Sequence, residues 1–353
     1  MQDASSESTI AGWPVTAPPP SGEVAPPDRP ELKLSVVITY YNGSDVICDA
    51  VGSVLEQTVA PHEIVICDDG SSDDIAAALG PLREHVKIVR KENGGTGSAL
   101  NAAMRAASGD YVVQLDQDDA FAPRRLEAIA AVLAARPDLD VVATDAVIEL
   151  GAREVTRLSA IDPYPAKDQR AAMIATCTYL WPTVRRSLLL ESGGWDESFK
   201  VVEDWGCALR LVLDGARVGY VHEALYRWRL TPGSRSSSNR AAHFEDQVHL
   251  TENALAHPSL TAEERAGAES LLIARRRSLA REQARRALET HASDARRRSL
   301  ALVTGAGFDF ATRAKAAVAV LSPSIAERFI ARRREHNDPA YEALAQRGFR
   351  LPE

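Results

Sequence analysis

The chain has little cysteine, no excess of positive charge and no long apolar run, and each lack removes a class of protein. Its four cysteines, Cys48, Cys67, Cys177 and Cys207, show no C-x-x-C spacing. Three of them fall in segments expected to be strands or helices, which favours buried thiols in a reducing compartment over disulfides or zinc ligation. No apolar run approaches the ~20 residues that span a bilayer, and the N-terminus has neither the basic region nor the apolar core of a secretory signal. A cytoplasmic chain, peripheral to the inner face of a membrane at most, is expected. The net charge of −8 argues against a nucleic-acid partner. That charge is uneven, because residues 245–353 carry 18 Lys and Arg against 15 Asp and Glu, so the acidity resides in the first 244 residues.

What is present divides the 353 residues into three parts. Residues 1–30 are rich in Pro, Ser and Ala and nearly free of large apolar side chains. They cannot bury enough surface to offset ordering, and are expected to form a disordered leader. Residues 31–244 alternate short apolar runs with helical patterns. Strands are expected at 35–39, 63–67, 86–89, 111–115 and 141–148, with helices at about 44–56, towards 79, 96–107 and 123–135. This alternation indicates an α/β fold with a mostly parallel, Rossmann-like sheet flanked by helices. Residues 245–353 change to an Ala, Arg, Glu and Leu texture, an α-helical C-terminal extension with helices expected at about 262–290, 294–303, 310–321 and 325–335.

Ligands of parallel sheets bind beyond the carboxyl ends of the strands, and the polar clusters 39–42, 68–74, 93–97 and 116–119 all lie there. The most informative is D-Y-V-V-Q-L-D-Q-D-D, Asp110 to Asp119, where an apolar strand ends in three carboxylates within four residues. Like charges this close repel, and a bound hard cation relieves them, with two carboxylates at i and i+2 leaving positions for water and phosphate oxygens. A solvated acidic turn is the alternative from this stretch alone.

The middle of the chain is less regular. Residues 161–168 read as a loop, W-P-T-V-R-R-S as the approach to a short helix, and 217–221 and 225–230 as two strands. Glu203 and Asp204 open an apolar helix, where acidic residues also complement the helix dipole. His222 can face a ligand or simply be a core or surface histidine. Arg triplets at 275–277, 296–298 and 332–334 read as solvated helix faces, or more sharply as contacts for an anionic acceptor or an acidic lipid surface.

Taken in order, these clusters resemble the inverting glycosyltransferases of family 2, which have the GT-A fold. The resemblance covers roughly residues 33–240 and rests on S-V-V-I-T-Y-Y-N-G-S-D with V-L-E-Q-T, I-V-I-C-D-D-G-S-S-D-D, N-G-G-T-G-S-A-L-N, L-D-Q-D-D, and G-G-W-D-E followed by E-D-W. It implies a metal-dependent transfer of sugar from a nucleotide-diphosphate donor, most of all a UDP-sugar, to a glycan, lipid-linked or small-molecule acceptor. Thr39, Tyr41, Asn42, Asp69, Asn93, Asp116, Gln117, Glu203 and Arg235 match nucleotide-sugar-binding positions. In that comparison Asp69 accepts a hydrogen bond from the base, which suits the imide of uracil or thymine and the ring N–H of guanine. Asp118, with Asp116, matches the metal ligands for Mn²⁺ or Mg²⁺, Asp119 shapes the turn, and Asp204 matches the catalytic base. The chain departs from the common pattern at Leu100, where many members carry Arg before the Asn, which leaves the contacts of Asn101 open. Membrane contact through the basic tail and self-association are compatible with the sequence.

Two other readings use the same residues. A nucleotidyltransferase also uses a nucleotide-binding α/β sheet, but the Gly-rich basic loop expected after its first strand is absent. A non-catalytic sugar-nucleotide-binding scaffold would not need the intact carboxylates at 116, 118 and 204.

Overall fold

The computed structural model describes residues 32–164, 169–176, 182–230, 239–323 and 326. The leader (1–30), the helix expected at 325–335 and its Arg triplet at 332–334, Cys177 and Arg235 fall essentially outside them. The chain begins with β1 (Leu34–Tyr40), α1 (Ile47–Leu55), β2 (Glu63–Asp68), α2 (Ile75–Leu79) with a 3₁₀ segment, β3 (Lys87–Arg90), α3 (Thr96–Ala106) and β4 (Tyr111–Asp116). A two-residue β5 (Ala120–Phe121), α4 (Arg125–Ala135), β6 (Val141–Leu150), β7 (Arg153–Arg157), α5 (Leu158–Ile161) and α6 (Gln169–Ala175) follow. Next come β8 (Thr183–Arg185), α7 (Arg186–Glu191), α8 (Glu203–Leu213) and β9 (Val218–Arg229). The extension is α9 (Arg240–Ala256), α10 (Ala262–Glu289), α11 (Ala295–Thr304) and α12 (Phe310–Leu321).

Among the described residues one sheet runs in the order β3-β2-β1-β4-β8-β6-β9-β5, with β7 paired to β6. β3, β2, β1 and β4 are mutually parallel, so the residues after β1, β2 and β4 emerge on one edge. Alternate side chains of these strands feed two cores. Val36, Ile38, Ile64, Ile66, Val113 and Leu115 meet Ile47, Val51, Val54, Leu79, Leu126 and Ile129 on one face. Val37, Val65, Cys67 and Val112 meet Ala99, Leu100, Met104, Trp195, Cys207 and Leu211 on the other. Burial on both faces is why these strands are almost continuously apolar. Packing outweighs capping here: α1 has no side-chain cap, a loss of ~1 kcal/mol, while fully buried Ile47, Val51 and Val54 each contribute ~1.5–3 kcal/mol.

The second half of the sheet corrects three expectations. Residues 183–185 form β8, antiparallel to both β4 and β6, instead of merely leading into a helix. Residues 217–230 form one strand, not two. β9 is parallel to β6, and its register shifts where Thr144 pairs with Val221 but Asp145 with Ala224, so His222 and Glu223 are accommodated as a bulge. Finally, α9 begins at Arg240 and runs through the boundary expected at 244.

The extension adds a third apolar cluster to the domain. Phe199, Val202, Trp205, Ala208 and Leu209 pack with Met173 and Ile174 of α6, Leu250 and Ala254 of α9 and Ala268 of α10. α10 starts with a capping box in which the Thr261 side chain and the Glu264 side chain each take the other's backbone N–H.

Candidate active site

Three turns at the strand ends, and a fourth between α7 and α8, bound the site. After β1, Asn42 adopts a left-handed conformation, φ 48°, which Asn tolerates better than most residues. Its side-chain oxygen accepts from the Ser72 backbone (2.8 Å) and hydroxyl (3.0 Å), and its own N–H donates to Ser71 Oγ. Asn42 therefore locks the first turn to the second. Gln117 locks it to the third: its amide accepts from Tyr41 N–H at 2.8 Å and donates to Tyr41 O at 3.2 Å. Gly43 lies against this contact, where a Cβ would come 2.6 Å from the Gln117 amide carbon and displace that side chain. Tyr41 itself is half exposed, and Thr39 sits between Cys67 and Asp116 in the sheet register.

The turn after β2 is built inward. Asp68 accepts from Ser71 N–H and pairs with Arg90, Asp73 accepts from the Tyr40 hydroxyl at 2.6 Å, and Asp74 caps α2. Burial, and then the Asp73 charge, push the Tyr40 hydroxyl well above its ordinary pKa. Asp69 is buried and takes Lys91 Nζ (2.7 Å) and Gly94 N–H (3.0 Å) on Oδ1 and Gly95 N–H (2.8 Å) on Oδ2. Three donors leave about one of a carboxylate's four acceptor positions open. Lys91 was not singled out from sequence, because β2–β3 pairing, rather than proximity in the chain, brings it to Asp69. Asn93 is exposed in the same loop, close enough that a Cβ on Gly70 would meet its backbone nitrogen at 2.7 Å.

At the turn after β4 the three carboxylates separate. Asp119 is buried and faces inward, accepting from Tyr226 Oη (2.8 Å) and Arg229 N–H (2.8 Å), while the Tyr226 hydroxyl oxygen accepts from Asp116 N–H at 3.2 Å. Burial, followed by the charges of Asp118 and Asp116, raises the Asp119 carboxyl well above its usual range. Asp116, Gln117 and Asp118 stay half-buried at the rim. Among the described residues no three His, Cys, Asp or Glu side chains converge on one metal position. Two carboxylates on a turn fit a hard divalent ion that completes its shell with water and phosphate oxygens, and do not amount to a closed protein cage.

The fourth turn carries G-G-W-D-E to the start of α8. Asn101, whose contacts the sequence left open, is buried and holds this turn: it donates to Trp195 O (2.8 Å) and Glu197 Oε1 (3.0 Å) and accepts from Trp195 N–H (2.8 Å). Gly194, at φ 76°, admits no side chain, since a Cβ would overlap Asn101 Oδ1. Leu100 is a core residue beside it. At the start of α3, Gly97 lies against Asp196 and Glu197, so the loop held by Asp69 is continuous through α3 with the turn that precedes Glu203 and Asp204. Glu203 is buried and Asp204 half-buried in the first turn of α8. His222 is exposed, its ring edge-on to Tyr220 at 4.9 Å.

The family model described as glycosyl transferase family 2 matches residues 35–189. An uncharacterized glycosyltransferase of Rickettsia prowazekii is 27% identical over 229 residues, covering 60% of this chain and 69% of that protein. An uncharacterized protein of Sinorhizobium fredii is 28% identical over 61% of this chain, which spans only 24% of that protein's length. A chondroitin synthase of Escherichia coli is 42% identical over 27% of this chain and 14% of its own. Among solved structures, S. aureus TarS 1–349 in complex with UDP superposes with a TM-score of 0.57, at 20% identity over 90% of each chain. A mannosyltransferase of Pyrobaculum calidifontis in complex with GDP-Man and Mn²⁺ gives 0.53, at 18% identity over 89% of this chain and 86% of that one.

Proposed function

We propose that the chain, which the glycosyl transferase family 2 model matches over residues 35–189 and whose fold resembles solved GT-A glycosyltransferases, transfers a sugar from a UDP-sugar, with inversion, to a hydroxyl of a glycan, lipid-linked or small-molecule acceptor. The observation that carries this reading is the division of labour after β4, where Asp119 anchors the turn and leaves Asp116 and Asp118 at the rim. The neighbours solved with UDP, with UDP-GlcNAc and with GDP-Man and Mn²⁺ support the donor class.

In this reading the base lies against Asp69, whose remaining acceptor position takes its imide N–H. Lys91 and the Gly94 and Gly95 amides hold that carboxylate in place. Thr39, Tyr41, Asn42, Asn93 and Gln117 frame the nucleoside, and Arg235, outside the described residues, is the residue expected to contact the diphosphate. Asp118 and Asp116 would hold Mn²⁺ or Mg²⁺, which would supply positive charge to offset that on the departing diphosphate. Asp204 takes the proton of the acceptor hydroxyl as its oxygen attacks the anomeric carbon, and Glu203, buried beside it, orients the site.

A panel of UDP-, dTDP- and GDP-sugars, each with Mn²⁺ or Mg²⁺, tests the reading. Nucleoside-diphosphate release from a UDP-sugar is expected, and pyrophosphate exchange or binding without turnover would replace the transferase assignment. Asp204→Asn is expected to keep UDP affinity and to lose turnover by at least ~10²-fold, the usual contribution of a general base. An Asp204→Asn enzyme as fast as wild type, with an inactive Glu203→Gln, would move the base to Glu203.

A further inference from the structure

The start of α8 is held from outside its own domain. Asp246, on α9, is 4% exposed and directs one carboxylate oxygen, Oδ2, at three successive backbone N–H groups: Lys200 (2.8 Å), Val201 (2.7 Å) and Val202 (3.3 Å). These are the residues immediately before Glu203 and Asp204. Val202 is the N-cap of α8 and supplies no side-chain cap of its own. A distant carboxylate thus anchors the backbone that leads into α8, while the N–H groups of residues 204 and 205, which a local cap would take, are not among its donors.

A second contact reaches the residue just after the pair. Arg275, on α10 and 5% exposed, places its guanidinium over the Trp205 ring, 4.8 Å from the centroid. It is fixed there by the Thr251 hydroxyl, by Gln247 O at 3.3 Å and by Ala175 O at 2.9 Å. Trp205 in turn donates its indole N–H to Met173 O at 2.6 Å. Gln247 and Thr251 belong to the same helix as Asp246, so α9 supports both contacts. The residues before and after Glu203–Asp204 are therefore gripped by one unit.

We propose that Asp246 and Arg275 are positioning residues: the C-terminal extension sets the phase and tilt of the first turn of α8, and so aims the Asp204 carboxylate at the acceptor hydroxyl. The inference rests on Asp204 being the base. Its physical basis is that proton removal in step with bond formation demands placement of the base to a fraction of an ångström, and a 1 Å error costs ~10²-fold in rate. The turns that carry Asp69, Asp116 and Asp118 are held separately, by Lys91, Gln117 and Tyr226.

The test separates turnover from donor binding in the full-length protein. UDP affinity in the presence of Mn²⁺ is measured by calorimetry, and UDP release from the UDP-sugar that the wild type hydrolyses fastest gives kcat and KM with water as acceptor. Asp246→Ala removes the acceptor from all three N–H groups. Arg275→Lys keeps the charge but loses the planar stack and the forked contacts. Both variants are expected to lose at least ~10-fold in kcat while UDP Kd and donor KM stay within ~2-fold, whatever the drop in melting temperature. Undiminished kcat in both overturns the inference, as does a loss of UDP affinity that parallels the loss of kcat, because the contacts then serve only folding. A wild type that releases UDP from no UDP-sugar overturns the transferase reading itself, and this inference with it.

Discussion

Asp162 shows how a single side chain carries a charge problem that its sequence does not announce. Burial raises its carboxyl to about 6, against a small opposing effect of a hydrogen bond with Thr176. A carboxyl raised on folding makes the folded state bind the proton more tightly than the unfolded one. The associated stability is present below the unfolded pKa, near 4, and is lost as pH rises through about 6. Asp162→Asn should flatten the fall in melting temperature between pH 4 and 7, and an unchanged slope would clear Asp162 of that role. At this scale the sequence discloses position better than partnership. Asp69, Asp116, Asp118 and Asp204 are visible because they follow apolar strands or open a helix. The Lys91 partner of Asp69 and the Tyr226 partner of Asp119 are invisible, because tertiary pairing alone supplies them, across 22 and 107 residues.

At the scale of elements, legibility follows burial and length. β1, β2 and β4 can be read directly because both faces are buried and their apolar runs are unbroken. β5, β7 and β8 span two, five and three residues, too few for a period to emerge. The turn after β4 is an element in its own right, and its rigidity comes from Tyr226, which links Asp116 N–H to Asp119. Tyr226→Phe removes that link and leaves a buried carboxylate oxygen without its donor, a cost of ~1–3 kcal/mol. The released turn should bind UDP several-fold more weakly with Mn²⁺ present. Equal affinity in calorimetry would mean that the Arg229 N–H contact suffices to hold it. Gly194 fixes the opposite turn in the same sense: Gly194→Ala should lower the melting temperature by several degrees, since Asn101 has no room to move away from a new Cβ.

For the molecule as a whole, the extension is part of the domain's core more than an appendage. The Arg triplet at 275–277 makes the point, because its members behave differently although the sequence presents them as one charged face. Arg275 is buried over Trp205, Arg276 lies at the surface with Glu252 at 2.7 Å, and Arg277 is half-buried with its guanidinium against Gly307. The solvated reading holds for the second, holds only in part for the third, and fails for the first, whose position on α10 faces α9 and α8. Phe199, Val202, Trp205 and Leu209 share one apolar cluster with Leu250, Ala254 and Ala268, so separating the extension would expose that surface to water. Burying side chains of this size contributes ~1.5–3 kcal/mol each, comparable in sum with the ~5–15 kcal/mol that stabilises a typical domain. The catalytic domain and extension should therefore unfold together. Calorimetry of the full chain should give one transition, and Arg275→Gln should shift it down as a unit by several degrees. Arg276→Gln should leave it nearly in place, since surface substitutions usually act within ~0.5 kcal/mol. Two resolved transitions, with only one moved by Arg275→Gln, would show instead that the extension folds alone.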